Sequence, residues 1–378
     1  MGHAYRMAPL VGAYLAEGWQ IIIAARHVPH VKGALAPFLE QDGQRLAVVQ
    51  APIFLHHPAR VPGPPRSLAD IFARTGFADA QLCRPVVRAW RRLLAEVRPD
   101  VVLSDFAPSL NVASSGRYPR LVIGNGWTLP PEGDLPSFDG QVGDSVTHET
   151  CDRIVEALRV ASDGHWQEST FSASLRGEAN FVCTMPQLDP YNRHRAEGHY
   201  WPVEIPDPPA HRNDERHVMA IYMPGDHPAL PLIEEIAQQI PWQILAYSGS
   251  VARSPAAGLT YSPEPLHLPS VLPRACIAVH HGGLGMANWC MLHQVPQVIF
   301  PTDMEKLLIG KGVQQARMGI LAHAGVPSNS LLNIMRTIAQ RPLPVPDKNG
   351  LKTGSDNETL NALLKVSAQF AMISGKEL

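Results

Sequence analysis

The apolar residues of this chain fall into short runs of strand length that alternate with stretches of helical spacing. The strand-like runs are Trp19–Ala25, Leu46–Val49, Pro99–Ser104, Leu121–Gly124, Phe181–Thr184, His217–Met223, Gln243–Ala246, Ile277–His280 and Gln297–Phe300. Helices are predicted over Ala4–Glu17, Ser67–Val97 with a break near Cys83–Pro85, Leu230–Gln239, Leu284–His293, Glu305–Met318 and Asn357–Phe370. Because parallel strands need crossover connections, this alternation predicts an α/β fold with parallel sheets covered on both faces.

The alternation is interrupted by a stretch rich in proline and charge around Tyr200–Asn213. Such a composition is typical of a connection between domains. We therefore predict two Rossmann-like domains of ordinary size, residues 1–205 and residues 217–378, joined by a linker at 206–216. The last helix is a candidate for packing back onto the first domain.

The first domain begins in an unusual way, because Gly2 and His3 have the character of a turn that leads directly into the first helix. In a doubly wound domain a parallel strand normally precedes such a helix. Either the domain lacks a central strand or the native chain starts upstream of Met1. We favour a late start as the hypothesis.

Composition and charge exclude several classes of protein. A net charge of −2 over 378 residues gives no reason to expect nucleic acid or an anionic membrane as a partner. The apolar runs are far shorter than a bilayer span and no leader is visible, so we expect a cytoplasmic protein without a stable membrane anchor. The five cysteines include no C-x-x-C pair, which predicts reduced thiols and no zinc site.

The stretch Cys276–Phe300 has the most informative chemistry. In it, a buried strand is followed by a turn of His281, Gly282 and Gly283 and then by a helix. This order forms an anion site, because the N–H groups at the helix start point outward at the positive end of the dipole. His281 is placed to add a hydrogen bond to a phosphate. A plain tight turn has the same pattern, so both interpretations remain open on these residues alone.

The segment YSPEPLHLPSVLPRACIAVHHGGLGMANWCMLHQVPQVIFP, residues 261–301, resembles the donor-binding signature of the family 1 glycosyltransferases of GT-B fold. It is especially similar to the bacterial branch that acts on natural products and lipids. The resemblance continues in order along nearly the whole chain, through Gly2-His3 with Pro9-Leu10, Arg98–Val102 with Asp105, and Pro186–Pro190. It implies two Rossmann-like domains that face a central cleft.

The resemblance also implies an activity. It implies an inverting, metal-independent transfer of a hexose from a UDP- or dTDP-type nucleotide sugar to a hydroxyl of a small, mostly apolar acceptor. The nucleotide sugar is then a substrate, and no cofactor is expected. The partners implied are these two small molecules, and the sequence makes no prediction of the oligomeric state.

The resemblance assigns catalytic roles to His3 and Asp105. His3 matches the general base that takes the proton of the acceptor hydroxyl, and Asp105 matches the acid that orients this histidine. Without the resemblance, His3 would be interpreted as a frayed terminal side chain. Asp105 would equally suit a helix cap that follows a strand.

The donor-binding residues that the resemblance implies lie in the second domain. They are His281, Gly282, Gly283, Gly285, Glu305 and Lys306. The histidine and the glycine N–H groups would receive the diphosphate. The Glu-Lys pair falls where the family carries an Asp-Gln pair that binds sugar hydroxyls, although a solvated first helical turn is the alternative.

Five positions depart from the family pattern, and Glu305, which is longer than the usual Asp, and Ile309, which stands where Asn is frequent, are two of them. Met286 stands where Ser or Thr usually binds phosphate, Trp289 stands where many members place a ribose-binding Glu, and Lys306 replaces Gln. A cationic Lys306 raises the hypothesis of an acidic donor sugar. The departures also permit a second class of function, a noncatalytic or donor-altered relative that acts as a binding or helper protein.

Two loops of the first domain are candidates for the acceptor site. Pro52–Pro65 and Trp127–Phe138 are rich in proline and aromatic residues, and the first also contains a His pair. This composition suits a mostly apolar small molecule with a few polar contacts. Loops that are merely ordered by their prolines would have the same composition, and the sequence favours neither interpretation.

Overall fold

The computed structural model describes residues 2–54, 63–138, 145–195, 200–201, 216–249, 259, 261–344 and 358–373, with side chains from Met7 onward. The chain divides into two compact units. The first unit comprises Met1–Val182, His194–His199 and Asn357–Leu378, and the second comprises Cys183–Arg193 and Tyr200–Asp356. The predicted linker at 206–216 lies almost wholly outside the described residues, so the domain boundaries given above stay a prediction.

The described residues form helices and strands in a regular alternation. The helices are α1 (Gly2–Ala16), α2 (Val28–Ala34), α3 (Ala36–Asp42), α4 (Leu68–Arg74), α5 (Ala80–Val97), α6 (Pro108–Ser114), α7 (Ser145–Ala161), α8 (Leu230–Ala237), α9 (Leu268–Val271), α10 (Leu284–Leu292), α11 (Met304–Gln315), α12 (Ser328–Gln340) and α13 (Glu358–Ile373). The strands are β1 (Ile21–Ala25), β2 (Leu46–Gln50), β3 (Val102–Ser104), β4 (Arg120–Gly124), β5 (Ala179–Cys183), β6 (Tyr200–Trp201), β7 (Val218–Tyr222), β8 (Gln243–Tyr247), β9 (Tyr261–Ser262), β10 (Ala275–His280), β11 (Gln297–Ile299) and β12 (Gly319–Leu321).

The first unit contains two separate sets of parallel strands. β1 pairs with β2, with Ile21 opposite Leu46. β3 pairs with β4, and β4 pairs with β5. Every residue of β4 is buried, as expected for a parallel strand that is covered on both faces.

The second unit is built on one parallel sheet in the order β12-β11-β10-β7-β8-β9. From β7 the chain adds β8 and β9 on one side, and it then returns to place β10 on the other side of β7. The order therefore reverses between β7 and β10. In open α/β sheets, ligands bind outside the carboxyl ends of the strands at such a reversal.

In the region after Ser67 the structure confirms the predicted helix cap but places the helix break elsewhere. The Ser67 side chain accepts the N–H of Asp70 at 3.1 Å, so the predicted cap is confirmed. The predicted break near Cys83–Pro85 is wrong, because α5 continues through Pro85 and the break lies at 75–79. Burial of one apolar face of α5, which includes Trp90, outweighs the hydrogen bond that proline removes.

The first helix also starts earlier than the sequence pattern predicted. α1 already includes Gly2 and His3, which the sequence analysis placed in a turn. The long connection 125–138 is mostly buried, with Trp127 stacked on Phe138 at a ring distance of 5.2 Å. Among the described helices, none combines the length and the apolar character needed to cross a bilayer.

Candidate functional site

The candidate site begins at the carboxyl end of β10, where the ring of His280 contacts the backbone of the glycine turn that follows. The His280 ring is fully buried; its Nδ1 accepts the N–H of Gly282 at 3.1 Å, and its Nε2–H donates to Oε1 of Gln297 at 2.9 Å. Burial lowers the pKa of His280 to about 3, so the ring is neutral at physiological pH. The N–H of Gly282 is therefore already used, which corrects the prediction that this group receives the diphosphate.

Gly282 contributes through its conformation instead. Its φ of +91° lies in the left-handed region that favours glycine. A Cβ at this position would lie 3.0 Å from Cγ2 of Ile299 and 3.0 Å from both Cβ and the carbonyl oxygen of Lys306. The turn thus brings the start of α11 directly against the start of α10.

The first turn of α10 is left open toward solvent. Its N-cap is Gly283, which has no side chain to accept the N–H groups, and the first intrahelical bond of the turn runs from the Ala287 N–H to the Gly283 carbonyl at 3.0 Å. A Cβ at Gly285 would meet no atom within 4 Å. Uncapped N–H groups at the positive end of a helix dipole, with open space in front of them, form an anion site.

His281 lies beside this opening. The ring is half-buried, and its Nδ1–H donates to the Tyr222 carbonyl at 3.4 Å, so the Nε2 of the neutral ring is an acceptor next to Gly283. Burial lowers the pKa of His281, and the Lys306 ammonium lowers it further against the opposing effect of the Tyr222 carbonyl. To donate a hydrogen bond to a phosphate from Nε2 and keep the Nδ1–H bond to the Tyr222 carbonyl, His281 must gain a proton.

The first turn of α11 completes the polar surroundings. Asp303 is the N-cap of this helix, and its Oδ1 accepts the Lys306 N–H at 3.1 Å. The Lys306 ammonium is 2.8 Å from Oε2 of Glu305 and 3.4 Å from Oδ2 of Asp303. Burial opposes the charge, but the two carboxylates together raise the pKa of Lys306, which therefore stays protonated. These three side chains carry a net charge of −1.

The structure adds residues that the sequence analysis missed. His227, in the loop after β7, donates from Nε2–H to the Phe300 carbonyl at 3.1 Å and accepts the Ala229 N–H on Nδ1 at 3.1 Å. Tyr222 and Tyr247, at the carboxyl ends of β7 and β8, have ring centroids 4.9 Å apart. The signal in the sequence was a loop rich in proline and glycine that directly follows a predicted strand.

Two of the positions that depart from the family pattern have a structural role here. Met286 is buried in a core cluster with residues of β7 and β10. Trp289 packs partly against the same cluster and stacks on His293 at a ring distance of 5.4 Å. Both side chains therefore support α10 from the core side.

In the first unit, Asp105 follows β3 directly and is half-buried. It does not occupy the N-cap position of α6, which is Ala107. The next residue, Phe106, has a φ of +51°, which is uncommon for a residue with a large side chain. His3 lies in the first turn of α1, and its side chain falls outside the described part of the chain. The pairing of His3 with Asp105 therefore stays a prediction.

The two candidate acceptor loops have different outcomes. Trp127, Leu129 and Leu135 are buried, so the described part of 127–138 is a packed connection. The loop Pro52–Pro65 lies outside the described residues from 55 to 62. Among the described residues, no three His, Cys, Asp or Glu side chains are placed to hold a metal ion.

Comparison with known proteins gives matches among solved structures. No family model matches the chain, and no curated protein matches it. The glycotransferase of kitacinnamycin is 17% identical, with a TM-score of 0.60, and the match covers 97% of this chain and 92% of that one. The spinosyn rhamnosyltransferase SpnG, complexed with thymidine diphosphate, is 17% identical over 98% of this chain and 93% of its own, with a TM-score of 0.60.

The calicheamicin glycosyltransferase CalG4 gives a further match of the same kind. It is 16% identical, and the match covers 98% of this chain and 95% of that one with a TM-score of 0.62. Matches of this length and quality at such low identity establish an architecture. The predicted fold class is confirmed: the chain has the GT-B fold that these glycosyltransferases share.

Proposed function

We propose that this protein is a glycosyltransferase that moves a sugar from a nucleotide diphosphate donor, of the dTDP or UDP type, to a hydroxyl of a small, mostly apolar acceptor. The observation that carries the proposal is the open first turn of α10, which lies at the strand-order reversal of the second sheet. SpnG, a structural neighbour, has been solved with thymidine diphosphate and with the spinosyn aglycone. VinC, another neighbour, has been solved with DTDP.

In this proposal the second unit holds the donor diphosphate. The N–H groups at Gly283 and Gly285 and the ring of His281 donate to its oxygens, and Gly282 shapes the turn. Glu305 is placed by Lys306 at the start of α11 to contact sugar hydroxyls. As the bond between sugar and diphosphate breaks, negative charge develops on the leaving oxygens, and these preorganised donors stabilise it.

The proposed chemistry in the first unit uses His3 and Asp105. His3 takes the proton of the acceptor hydroxyl, the hydroxyl oxygen attacks the anomeric carbon from the face opposite the diphosphate, and the nucleoside diphosphate leaves with the bonding electron pair. Asp105 orients His3 and stabilises its charged form. This route gives inversion at the anomeric carbon and requires no metal ion.

The surroundings of Lys306 favour a neutral donor sugar. The hypothesis of an acidic sugar needs a cation available for a carboxylate, but the Lys306 ammonium already contacts the Glu305 and Asp303 carboxylates. A second acid placed beside this net negative group would be repelled. We therefore propose a neutral hexose. We also propose a cytoplasmic location, which the five free cysteines support.

The test has a binding arm and a transfer arm. A screen of dTDP, UDP, GDP and ADP by thermal unfolding should show a rise in melting temperature with dTDP or UDP, because a ligand of the folded state stabilises it. Transfer of sugar to apolar alcohols, followed by mass spectrometry in the presence of EDTA, should then be seen with the wild type and lost in His3→Ala. His3→Ala should keep the full thermal shift, because the diphosphate site lies in the second unit.

The outcomes separate the two classes of function. No thermal shift with any nucleotide would contradict the proposal at the donor site. A shift without transfer to any acceptor by the wild type would favour a binding or helper protein. Unchanged transfer by His3→Ala would remove the proposed base, and loss of transfer in EDTA that zinc or magnesium restores would remove the metal-independent route.

A further inference from the structure

Two polar side chains lie in the apolar layer between the second sheet and α10. His280 ends β10 and Gln297 begins β11, and both are fully buried. The strand register pairs Ala278 with Gln297 and His280 with Ile299, so all four side chains share one face of the sheet. Ala278 and Ile299 belong to core clusters that contain residues of α10. The polar pair therefore lies beneath the helix whose first turn is the anion site.

The stability of the sheet does not account for this pair. The Gln297 side chain uses its Oε1 in one hydrogen bond, whereas its Nε2 is buried and meets no acceptor among the described residues. A buried amide with an unused donor costs free energy. Two apolar side chains of the same shape would fill this space without that cost, and such replacements are often neutral or stabilising. The pair therefore calls for a role other than packing.

The hydrogen bonds of the pair can run in only one direction. The Gly282 N–H can only donate, so Nδ1 of His280, which lies 3.1 Å away, carries no proton. The ring is neutral because burial lowers its pKa to about 3, so its single proton is on Nε2. Gln297 must then turn its Oε1 toward this Nε2–H, at 2.9 Å. Gln297 thereby selects the tautomer in which Nδ1 is free to accept.

The tautomer matters because the chain turns from the sheet into α10 at Gly282, which has a φ of +91°. The bond to Nδ1 directs the Gly282 N–H toward the buried ring, and the open first turn of α10 follows at Gly283. In the other tautomer an Nδ1–H would face the Gly282 N–H, and two donors would oppose each other. The turn would have to move, and the N–H groups at the start of α10 would move with it.

We propose that His280 and Gln297 are positioning residues for the donor diphosphate: Gln297 fixes the tautomer of His280, and His280 holds the Gly282 backbone so that the first turn of α10 is ready to bind. Both side chains are fully buried, so they act through the turn. A turn that is already held in its binding form spends no binding energy on ordering. The role assigned to the pair rests on the proposed function, which places a diphosphate at this turn.

Gln297→Met is the variant that tests this role, because methionine has nearly the shape of glutamine but lacks the carbonyl oxygen. Calorimetric titration gives the dTDP affinity, thermal unfolding gives the melting temperature, and hydrogen exchange follows the Gly282 amide. The nitrogen chemical shifts of the His280 ring report its tautomer. His293→Leu is the matched control, since it also replaces a buried polar side chain, at the opposite end of α10.

Gln297→Met should bind dTDP about tenfold more weakly, while its melting temperature equals or exceeds that of the wild type. The Gly282 amide should exchange about tenfold faster, and the ring shifts of His280 should depart from those of the Nε2–H tautomer. His280→Asn should keep most of the affinity, because its Oδ1 can replace Nδ1 as the acceptor. His293→Leu should leave the affinity and the Gly282 exchange unchanged. Weaker binding without lower stability distinguishes positioning from packing.

A dTDP affinity of Gln297→Met within about twofold of the wild type would overturn the proposal. So would a melting temperature that falls together with the affinity, as in a loosened core, or an Nδ1–H tautomer of His280 in the wild type. If the wild type binds no nucleotide, the proposed function fails separately. The Gly282 exchange rate and the His280 ring shifts then decide the role of the pair, and values unchanged by Gln297→Met would exclude it.

Discussion

At the scale of single residues, the glycines of the turn have two different functions. Gly282 is required by its φ of +91° and by the contacts that a Cβ would make, whereas a Cβ at Gly285 would meet no protein atom within 4 Å. Gly285→Ala should therefore keep or slightly raise stability, since Ala in a helix is favoured over Gly by roughly 0.5–1 kcal/mol. Its methyl group should instead occupy the phosphate position and weaken dTDP binding by about tenfold or more.

Gly282→Ala is the matched control for this prediction. It should lower the melting temperature, because the alanine is strained at positive φ and crowds Ile299 and Lys306. Calorimetric titration and thermal unfolding of both variants separate binding from folding. Unchanged dTDP affinity in Gly285→Ala would show that the anion does not lie at the first turn of α10.

A second prediction at this scale concerns the charge of His281. Burial and the nearby Lys306 lower the pKa of the free ring, and a bound diphosphate should raise it by favouring the imidazolium. Binding should therefore take up a proton, and the affinity should fall as the pH rises through the pKa of His281 in the complex. Calorimetric titrations in buffers of different ionisation enthalpy measure this uptake directly.

His281→Gln provides the control, because the nucleotide phosphate itself also titrates near pH 6. The pH dependence that remains in this variant belongs to the phosphate, and the difference from the wild type belongs to the histidine. Identical proton uptake in the two proteins would mean that His281 stays neutral in the complex and binds, if at all, through its other tautomer.

At the scale of secondary structure elements, an ion pair joins the ends of β4 and β5. Arg120 has a buried side chain, and its guanidinium is 2.7 Å from Oε1 of Glu178. Burial raises the pKa of Glu178, but the hydrogen bonds from Arg120 outweigh this effect and lower it overall. The stability that this pair contributes is present above the unfolded pKa of the carboxyl and is lost as the pH falls through its depressed folded value.

Glu178→Gln should therefore destabilise the first unit by about 1 kcal/mol near neutral pH, because it leaves a buried guanidinium with a weaker partner while solvent screens the half-exposed carboxylate. The difference from the wild type should disappear in acid. Glu156→Gln is the matched control, since Glu156 and Arg159 form an equally short but exposed pair within α7 that should matter little. Denaturant titrations at neutral and acidic pH measure both, and equal effects of the two variants would contradict the argument.

The elements that the sequence could predict were those with a strong local pattern. Four strands of the second sheet, β7, β8, β10 and β11, and the order strand, glycine turn and helix around His281 were predicted within one or two residues. The break before α5 was misplaced, because Pro85 is a strong local signal and the Asp79 cap that actually starts the helix is a weaker one. β9 and β12 were missed, because they have two and three residues and lie at the two edges of the sheet. The helix α12 was not predicted either.

The candidate site was predictable only in part, because only some of its residues lie in a stretch with a strong local pattern. His281 and the glycines lie in one short segment, whereas Tyr222, His227 and Asp303 reach the turn from separate elements. The predicted role of the Gly282 N–H as a phosphate donor was wrong, because this group donates to Nδ1 of His280. That nitrogen is an acceptor because the buried ring stays neutral. Local sequence does not specify such burial, which follows from the packing of β10 between β7 and β11.

At the scale of the whole molecule, the chain starts and ends in the same unit. The residues from Asn357 onward belong with the first unit, although they follow the second in sequence. The Tyr14 hydroxyl of α1 and the Ser367 hydroxyl of α13 are 2.7 Å apart and buried. Burial raises the pKa of Tyr14 and the hydrogen bond to Ser367 lowers it. Burial has the larger effect, so the pKa is raised overall and the phenol stays protonated.

This return of the chain predicts that removal of residues 357–378 damages the first unit and spares the second. Leu360 and Leu363 of α13 are buried, and each such side chain contributes about 1.5–3 kcal/mol when it is removed from water. The truncated protein should show faster hydrogen exchange in α1 and β1, while dTDP should still protect the turn at 281–286. Loss of dTDP protection in the truncated protein, with exchange in α1 unchanged, would show that the last helix supports the second unit instead.

Ser367→Ala is a milder companion variant. It leaves the Tyr14 hydroxyl without its hydrogen-bond partner Ser367, so it should lower the free energy of unfolding of the same unit by about 1 kcal/mol.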